Sequence, residues 1–256
     1  MYNLSYELLN FVPKMKPSVY FTWLKGLTYQ EAWDIQTSIH KGLIESKMQK
    51  KYHIDDSIIT IKQKHQLIFC EHDHVFTLGK SGSMDHLLLT DSELKEDNIE
   101  FFKINRGGDI TYHGPGQITG YPVFDLEEFF TDVHRYVRTI EEAIIVLISK
   151  YGLNGIRIAG YTGVWLEPDN TSDQFRKICA IGVHLSRWVS MHGFAFNVNT
   201  DLSYFEKIIP CGIVDKNKTV TSLSKETGND VDIEKVGIEL ADIFSQLFDF
   251  ELISEI

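Results

Sequence analysis

A chain of 256 residues with 43% hydrophobic residues and a formal charge of -11 has the length and apolar content for one folded domain with its own core. That acidic balance excludes a general nucleic-acid binder, which needs a basic face. Three cysteines, Cys70, Cys179 and Cys211, are too few and uneven for a disulfide framework and point to a reducing, cytoplasmic setting; the opening MYNLSYELLNFVPKMKP has no apolar run of signal-peptide or membrane-span length.

Residues 1–20 read as an N-terminal extension and 21–256 as a single domain, with no repeat or composition break between them. A helix is expected from Thr28, where Thr28 and Glu31 have capping-box spacing and Ile35, Ile39 and Leu43 follow on one face. QLIFCEHDHVFTLG reads as strand, turn, strand. A second helix is expected over 131–150, with Val133, Val137, Ile140, Ile144 and Leu147 as its apolar stripe. IRIAGYTGVWLE and RKICAIGVHLS read as strands joined by the exposed tip PDNTSD, and GFAFNVNTD alternates as a half-buried strand does. Val236, Leu240, Ile243 and Leu247 mark a C-terminal helix. Strands grouped in hairpins with interspersed helices predict an α+β domain with a mixed, mainly antiparallel sheet.

The stretch RGGDITYHGPGQ, Arg106 to Gln117, holds four glycines and a proline, more than a turn requires. It matches neither the dinucleotide nor the phosphate-loop glycine pattern, so no nucleotide cofactor is implied. Among the thiols, Cys70 and Cys179 sit inside apolar strand patterns, whereas Cys211 stands between Pro210 and Gly212 in a turn that presents its side chain. A reactive thiol needs a basic or cationic neighbour, and Lys177, His113 and His192 are all candidates. Cys70, His72 and His74, with His65, form the one arrangement with zinc-ligand character, without the usual paired spacing; no metal is expected.

In that order, RGGDITYHGPGQ, RKICAIGVHLSRWVSMHGFAFNVNTDLSYF and IIPCGI resemble the octanoyltransferases of lipoate biosynthesis, the octanoyl-[acyl-carrier-protein]:protein N-octanoyltransferases. The resemblance runs from about Thr28 to Leu223. It departs at Asp73 and His74, where the family usually carries two prolines, and at the longer PDNTSDQF tip. It implies a single α+β domain like the catalytic domain of biotin and lipoate protein ligases. It implies transfer of an octanoyl group from octanoyl-acyl carrier protein to a lysine of lipoyl domains, those of 2-oxoacid dehydrogenase complexes and the glycine cleavage H protein. No cofactor, nucleic acid or membrane takes part. Carried over by motif, Cys211 is the nucleophile that becomes an acyl-thioester and Lys177 lowers its pKa. Arg106, Gly107, Gly108, Asp109, Ile110, Thr111, Tyr112 and His113, with Ala180, Ile181, Gly182, Gly193, Phe194 and Ala195, then line the acyl site. In this picture glycine-rich backbone brings N–H donors to the thioester oxygen. A local basic patch drawn from Arg135, Arg138, Arg176 and Arg187 is expected to receive acidic protein partners.

Overall fold

The computed structural model describes residues 15–52, 64–170, 172–209 and 217–254. In chain order the elements are β1 (Ser18–Leu24), α1 (Tyr29–Tyr52), β2 (His65–Cys70), β3 (Val75–Leu78), α2 (Asp91–Glu96), β4 (Glu100–Lys103), β5 (Ile110–His113), β6 (Gln117–Val123), α3 (Val133–Ser149), β7 (Gly155–Ile158), β8 (Tyr161–Leu166), β9 (Phe175–Ser186), β10 (Val189–Asn197), β11 (Lys218–Val220), α4 (Leu223–Thr227), α5 (Ile233–Phe248) and β12 (Glu251–Ser254).

A large sheet runs β12-β1-β2-β6-β10-β9-β8-β7, with β11 attached to β9; a small sheet runs β4-β3-β5. From β2 to β7 the large sheet is antiparallel, and the parallel pairs are β12–β1, β1–β2 and β11–β9. This is the expected mixed, mainly antiparallel α+β fold. Helices α3 and α5 bury Ile140, Ile144, Leu147, Leu240 and Phe244 against the sheet in the main core. Helix α1 packs Ile39 and Leu43 against Ile68, Tyr121 and Val189 in a separate cluster.

Local signals explain the boundaries. Thr28 Oγ1 accepts from the Glu31 N–H at 3.2 Å while the Glu31 carboxylate accepts from the Thr28 N–H at 2.8 Å, so the capping box closes and starts α1. Asp132 caps α3 by accepting from the Arg135 N–H, which sets the first helical residue at Val133. Val133 itself is exposed, so the buried stripe begins one turn later, at Tyr136 and Ile140.

Three expectations change. IRIAGYTGVWLE is two strands, β7 and β8, because Gly160 takes a left-handed φ of +83° and turns the chain back. Strand β10 is buried on both faces rather than half-buried, since α1 covers one side and the main core the other. Strand β1 begins at Ser18, so the large sheet takes in the last three residues of the expected N-terminal extension.

Candidate functional site

A cavity of about 620 Å³ opens where the glycine loop before β5 crosses β9 and β10. The loop is held close to the sheet by its own backbone: the Gly107 N–H donates to the Val183 carbonyl at 2.9 Å. Gly108 has φ +84°, and its carbonyl accepts from both the N–H and the hydroxyl of Ser81. Arg106 is buried and donates from Nε to Thr77 Oγ1 and from Nη2 to both Thr77 O (2.6 Å) and Oγ1 (2.9 Å). The glycines therefore allow two chain segments to approach while the arginine pins them. Two backbone N–H groups of this loop are already engaged: the Gly107 N–H on Val183, and the Ile110 N–H on the Asp109 carboxylate at 2.7 Å.

The opposite wall comes from β8 and β9. Trp165 pairs with Lys177 and Val164 with Cys179, so Ile178 is an extra residue on β9. That bulge lets Ile178 and Cys179 both enter the main core, and it leaves Lys177 and Ala180 lining the cavity. The Lys177 ammonium lies 4.6 Å from the centroid of the Trp165 ring, which is fully buried. Between β6 and β10, where Gly120 pairs with Phe194, the strands run so close that a Cβ on Gly193 would meet the Gly120 carbonyl at 2.1 Å. This close approach leaves the Phe194 ring over Gly120 as apolar wall.

The histidines are structural in their bonding. His113 Nδ1 donates to Gln117 Oε1 at 2.8 Å, and the Gln117 amide is fixed in turn on the Tyr112 carbonyl and Asn197. Its Nε2 accepts from Thr77 Oγ1 at 3.3 Å. Burial first, then the nearby His72, lowers the His113 pKa to about 3. His192 donates from Nε2 to Asn105 Oδ1 at 2.6 Å and has a left-handed φ of 59°; burial, then the Arg106 charge, lowers its pKa to about 3. Burial keeps both rings neutral at physiological pH, and each is engaged in side-chain hydrogen bonds.

Thirteen of the fourteen residues expected at the acyl site line this one cavity: Arg106, Gly107, Gly108, Asp109, Ile110, Thr111 and His113, then Ala180, Ile181 and Gly182, then Gly193, Phe194 and Ala195. Tyr112 is the exception. It lies on the other face of β5, stacks on Tyr204 at 4.8 Å and bonds His74 Nδ1 at 2.7 Å. Cys211, with Pro210 and Gly212, lies outside the described residues. The chain is described up to Ile209 and again from Asn217, directly before β11, whose Val220 pairs with Lys177. Cys70 and Cys179 are buried, and burial pushes both thiols well above their ordinary pKa.

The Cys70, His72, His74 and His65 set does not converge. His72 Nε2 lies 2.7 Å from the Tyr121 hydroxyl and 3.3 Å from Cys70 Sγ; His74 faces Tyr112; His65 pairs with Glu128. Among the described residues no group of three or more His, Cys, Asp or Glu could hold a metal. Of the arginines expected in a basic patch, Arg176 is buried in ion pairs with Glu226 and Asp169 and so is not available to it, while Arg138 pairs with the buried Glu141 and keeps its side chain 55% exposed. No described helix is long and apolar enough to cross a membrane. Tyr29, Tyr121, Tyr161 and Val220 join the cavity wall without any signal in their local sequence.

Residues 28–245 match the model of the lipoyl protein ligase A/B catalytic domain. The octanoyltransferase of Christiangramia forsetii is 52% identical over 225 residues, covering 88% of this chain and 93% of that protein. The octanoyltransferase of Cytophaga hutchinsonii is 49% identical over 226 residues, covering 88% and 91%. Among solved structures, a bi-partite lipoate protein ligase from Thermoplasma acidophilum superposes with a TM-score of 0.61 at 16% identity, covering 94% of this chain and 87% of that one.

Proposed function

Because the chain belongs to the lipoyl protein ligase A/B catalytic-domain family and is an acyltransferase of the octanoyltransferase type, we propose that it carries an octanoyl group from acyl carrier protein to a lysine of lipoyl domains through a thioester on Cys211. The observation that carries this reading is the presence of Lys177 in the same cavity as the glycine loop and the Ile181 and Phe194 walls. An amine lining that cavity supports a role beside the acyl group, and the apolar walls support an eight-carbon chain. Each methylene withdrawn from water contributes about 0.8 kcal/mol.

In the first half-reaction Lys177 takes the Cys211 proton, the sulfur bonds to the octanoyl carbonyl carbon, and the bond from that carbon to the carrier sulfur breaks. The carrier thiol leaves with the proton held on Lys177. In the second half the acceptor amine attacks the same carbon, the bond to Cys211 breaks, and the amine's proton returns through Lys177 to the Cys211 sulfur. The thioester is already activated, so the energetics need no ATP. Donors to the oxyanion come from groups other than the Gly107 and Ile110 N–H, which protein acceptors already hold.

The lipoyl domains of 2-oxoacid dehydrogenase complexes and the glycine cleavage H protein are the proposed acceptors, and the domain expected over 21–256, together with the β1 residues 18–20, is the proposed catalytic unit, in a cytoplasmic setting. The test is substrate dependence. Octanoyl-acyl carrier protein is expected to octanoylate a lipoyl domain without ATP, while free octanoate with ATP gives no product. Transfer that requires octanoate and ATP refutes the mechanism and makes the protein a ligase.

A further inference from the structure

The cavity has a polar end. Ala180 pairs with Ala195 and Gly182 with Gly193 across β9 and β10, and Thr119 of β6 stands opposite Ala195. All five line the cavity, so small side chains leave an open floor over β9 and β10 that gives way to Thr119 and Tyr121 on β6. Tyr29, the first residue of α1 after the Thr28–Glu31 box, joins the wall at this end. Its ring centroid lies 5.0 Å from Phe102, 5.0 Å from His72 and 6.0 Å from His113, on which it stacks. His72 in turn bonds the Tyr121 hydroxyl, which places Tyr29 on the β6 side of the cavity. Thr119 and His113 are tied to Gln117. The Tyr29 hydroxyl has no hydrogen-bond partner among the described residues, and the fully enclosed side-chain atoms that lack one are His40 Nε2 and His72 Nδ1. The hydroxyl therefore meets open space, and with Tyr29 only 3% exposed that space is the cavity it lines.

From this arrangement we propose that the Tyr29 hydroxyl marks the far end of the acyl site and sets the chain-length limit through its need for a hydrogen-bond partner. An eight-carbon chain stops short of the hydroxyl and leaves it to water; a longer apolar chain strips that water away. The proposal rests on the acyl-transfer reading above. Crossing from β9 to β6 takes two interstrand spacings, about 10 Å. An extended eight-carbon chain reaches about 8–9 Å, so one whose carbonyl lies at the β9 wall ends near β6, and further carbons meet the phenol. Burial holds this phenol well above its ordinary pKa, so it is a neutral hydroxyl. Leaving a buried hydroxyl unpaired is unfavourable, and that penalty opposes the gain from each further methylene withdrawn from water. A chain ending in a group that bonds the phenol escapes the penalty.

The experiment uses nonanoyl- and 8-hydroxyoctanoyl-acyl carrier protein, whose chains have the same length and differ only in the last group, with octanoyl-acyl carrier protein as reference. Each is assayed with wild type and Tyr29→Phe, which keeps the ring contacts and removes the hydroxyl. The ratio of kcat/KM for the hydroxy chain to that for nonanoyl is expected to fall by about tenfold or more in Tyr29→Phe, because the bond to the phenol is lost and the penalty on nonanoyl is lifted. Nonanoyl transfer is expected to rise relative to octanoyl in the same variant. An unmoved ratio in folded Tyr29→Phe overturns the proposal. An equal loss with all three donors also overturns it, since the hydroxyl then serves the thioester or the fold and not the chain end. If wild type accepts no carrier and uses free acids with ATP, the transfer reading fails by itself, and the same ratio measured with nonanoic and 8-hydroxyoctanoic acids still decides the role of Tyr29.

Discussion

Acidification tests the interior of the site without touching any substrate. His72, His113 and His192 are all buried, and burial lowers their pKa to about 4, 3 and 3. In the unfolded chain each titrates near about 6.5. A folded pKa below the unfolded one means that the unfolded chain binds more protons in between. The stabilisation from keeping these rings neutral is therefore complete above pH 6.5 and is lost as pH falls toward the folded values. Each ring contributes about 1.4 kcal/mol per pH unit in that window, or about 2 kcal/mol lost by pH 5. Together the three give a slope of about 4 kcal/mol per unit, a large part of a typical domain's stability. The lowered carboxylates, Glu31, Glu93 and Asp201, affect stability only at lower pH, because their stabilisation is lost below their ordinary range near about 4. Urea unfolding between pH 6 and 4.5 reads the histidine slope directly. His113→Gln keeps a donor for Gln117 and removes one titrating group, so its slope is expected to fall by about 1.4 kcal/mol per unit. A wild-type stability that is flat over this range, or a variant with the wild-type slope, refutes neutral burial.

Other outcomes follow from the same geometry. Gly193→Ala sets a Cβ 2.1 Å from the Gly120 carbonyl, and spreading β6 from β10 costs about 1–3 kcal/mol and narrows the cavity; wild-type stability and transfer in this variant contradict the close-packed wall. Arg106→Met takes the guanidinium donor from the buried Thr77 carbonyl and leaves the Thr77 hydroxyl only its bond to His113, a loss of about 1–3 kcal/mol measured by urea unfolding; an unchanged midpoint contradicts the pinning role. Lys177→Met is expected to raise the pH midpoint of Cys211 alkylation and to lower transfer at neutral pH by 100-fold or more, about the contribution of a positioned base; an unchanged alkylation profile removes Lys177 from the reaction.

Much of the fold was legible because its signals are local. The Thr28–Glu31 box, the α3 and α5 stripes and strand β9 are short-range patterns, and each forms about where its residues predict, whereas β10 starts at Val189, four residues before the expected GFAFNVNTD strand, and ends at Asn197. The separated motifs of the acyl site meet in one cavity for a plain reason: strands β9 and β10 are adjacent, and Gly107 bonds to Val183 across them. What stayed hidden depends on pairing between distant segments. The Ile178 bulge that turns Lys177 toward the cavity exists only in the β8–β9 register. The burial of Arg176 by Glu226, fifty residues away, could not be read from an arginine beside a strand start. Tyr112 did carry a signal, since strand alternation sets it opposite Thr111 and His113.

The central claim is that octanoate rests covalently on Cys211 during transfer. Intact mass spectrometry after mixing the enzyme with octanoyl-acyl carrier protein, before any acceptor is added, examines it in one step. Wild type is expected to gain a single octanoyl group, mapped to the peptide holding Cys211 and discharged by a lipoyl domain, and Cys211→Ala is expected to gain none and to transfer nothing. Full transfer by Cys211→Ala, or an octanoyl group mapped to Cys70 or Cys179, contradicts it.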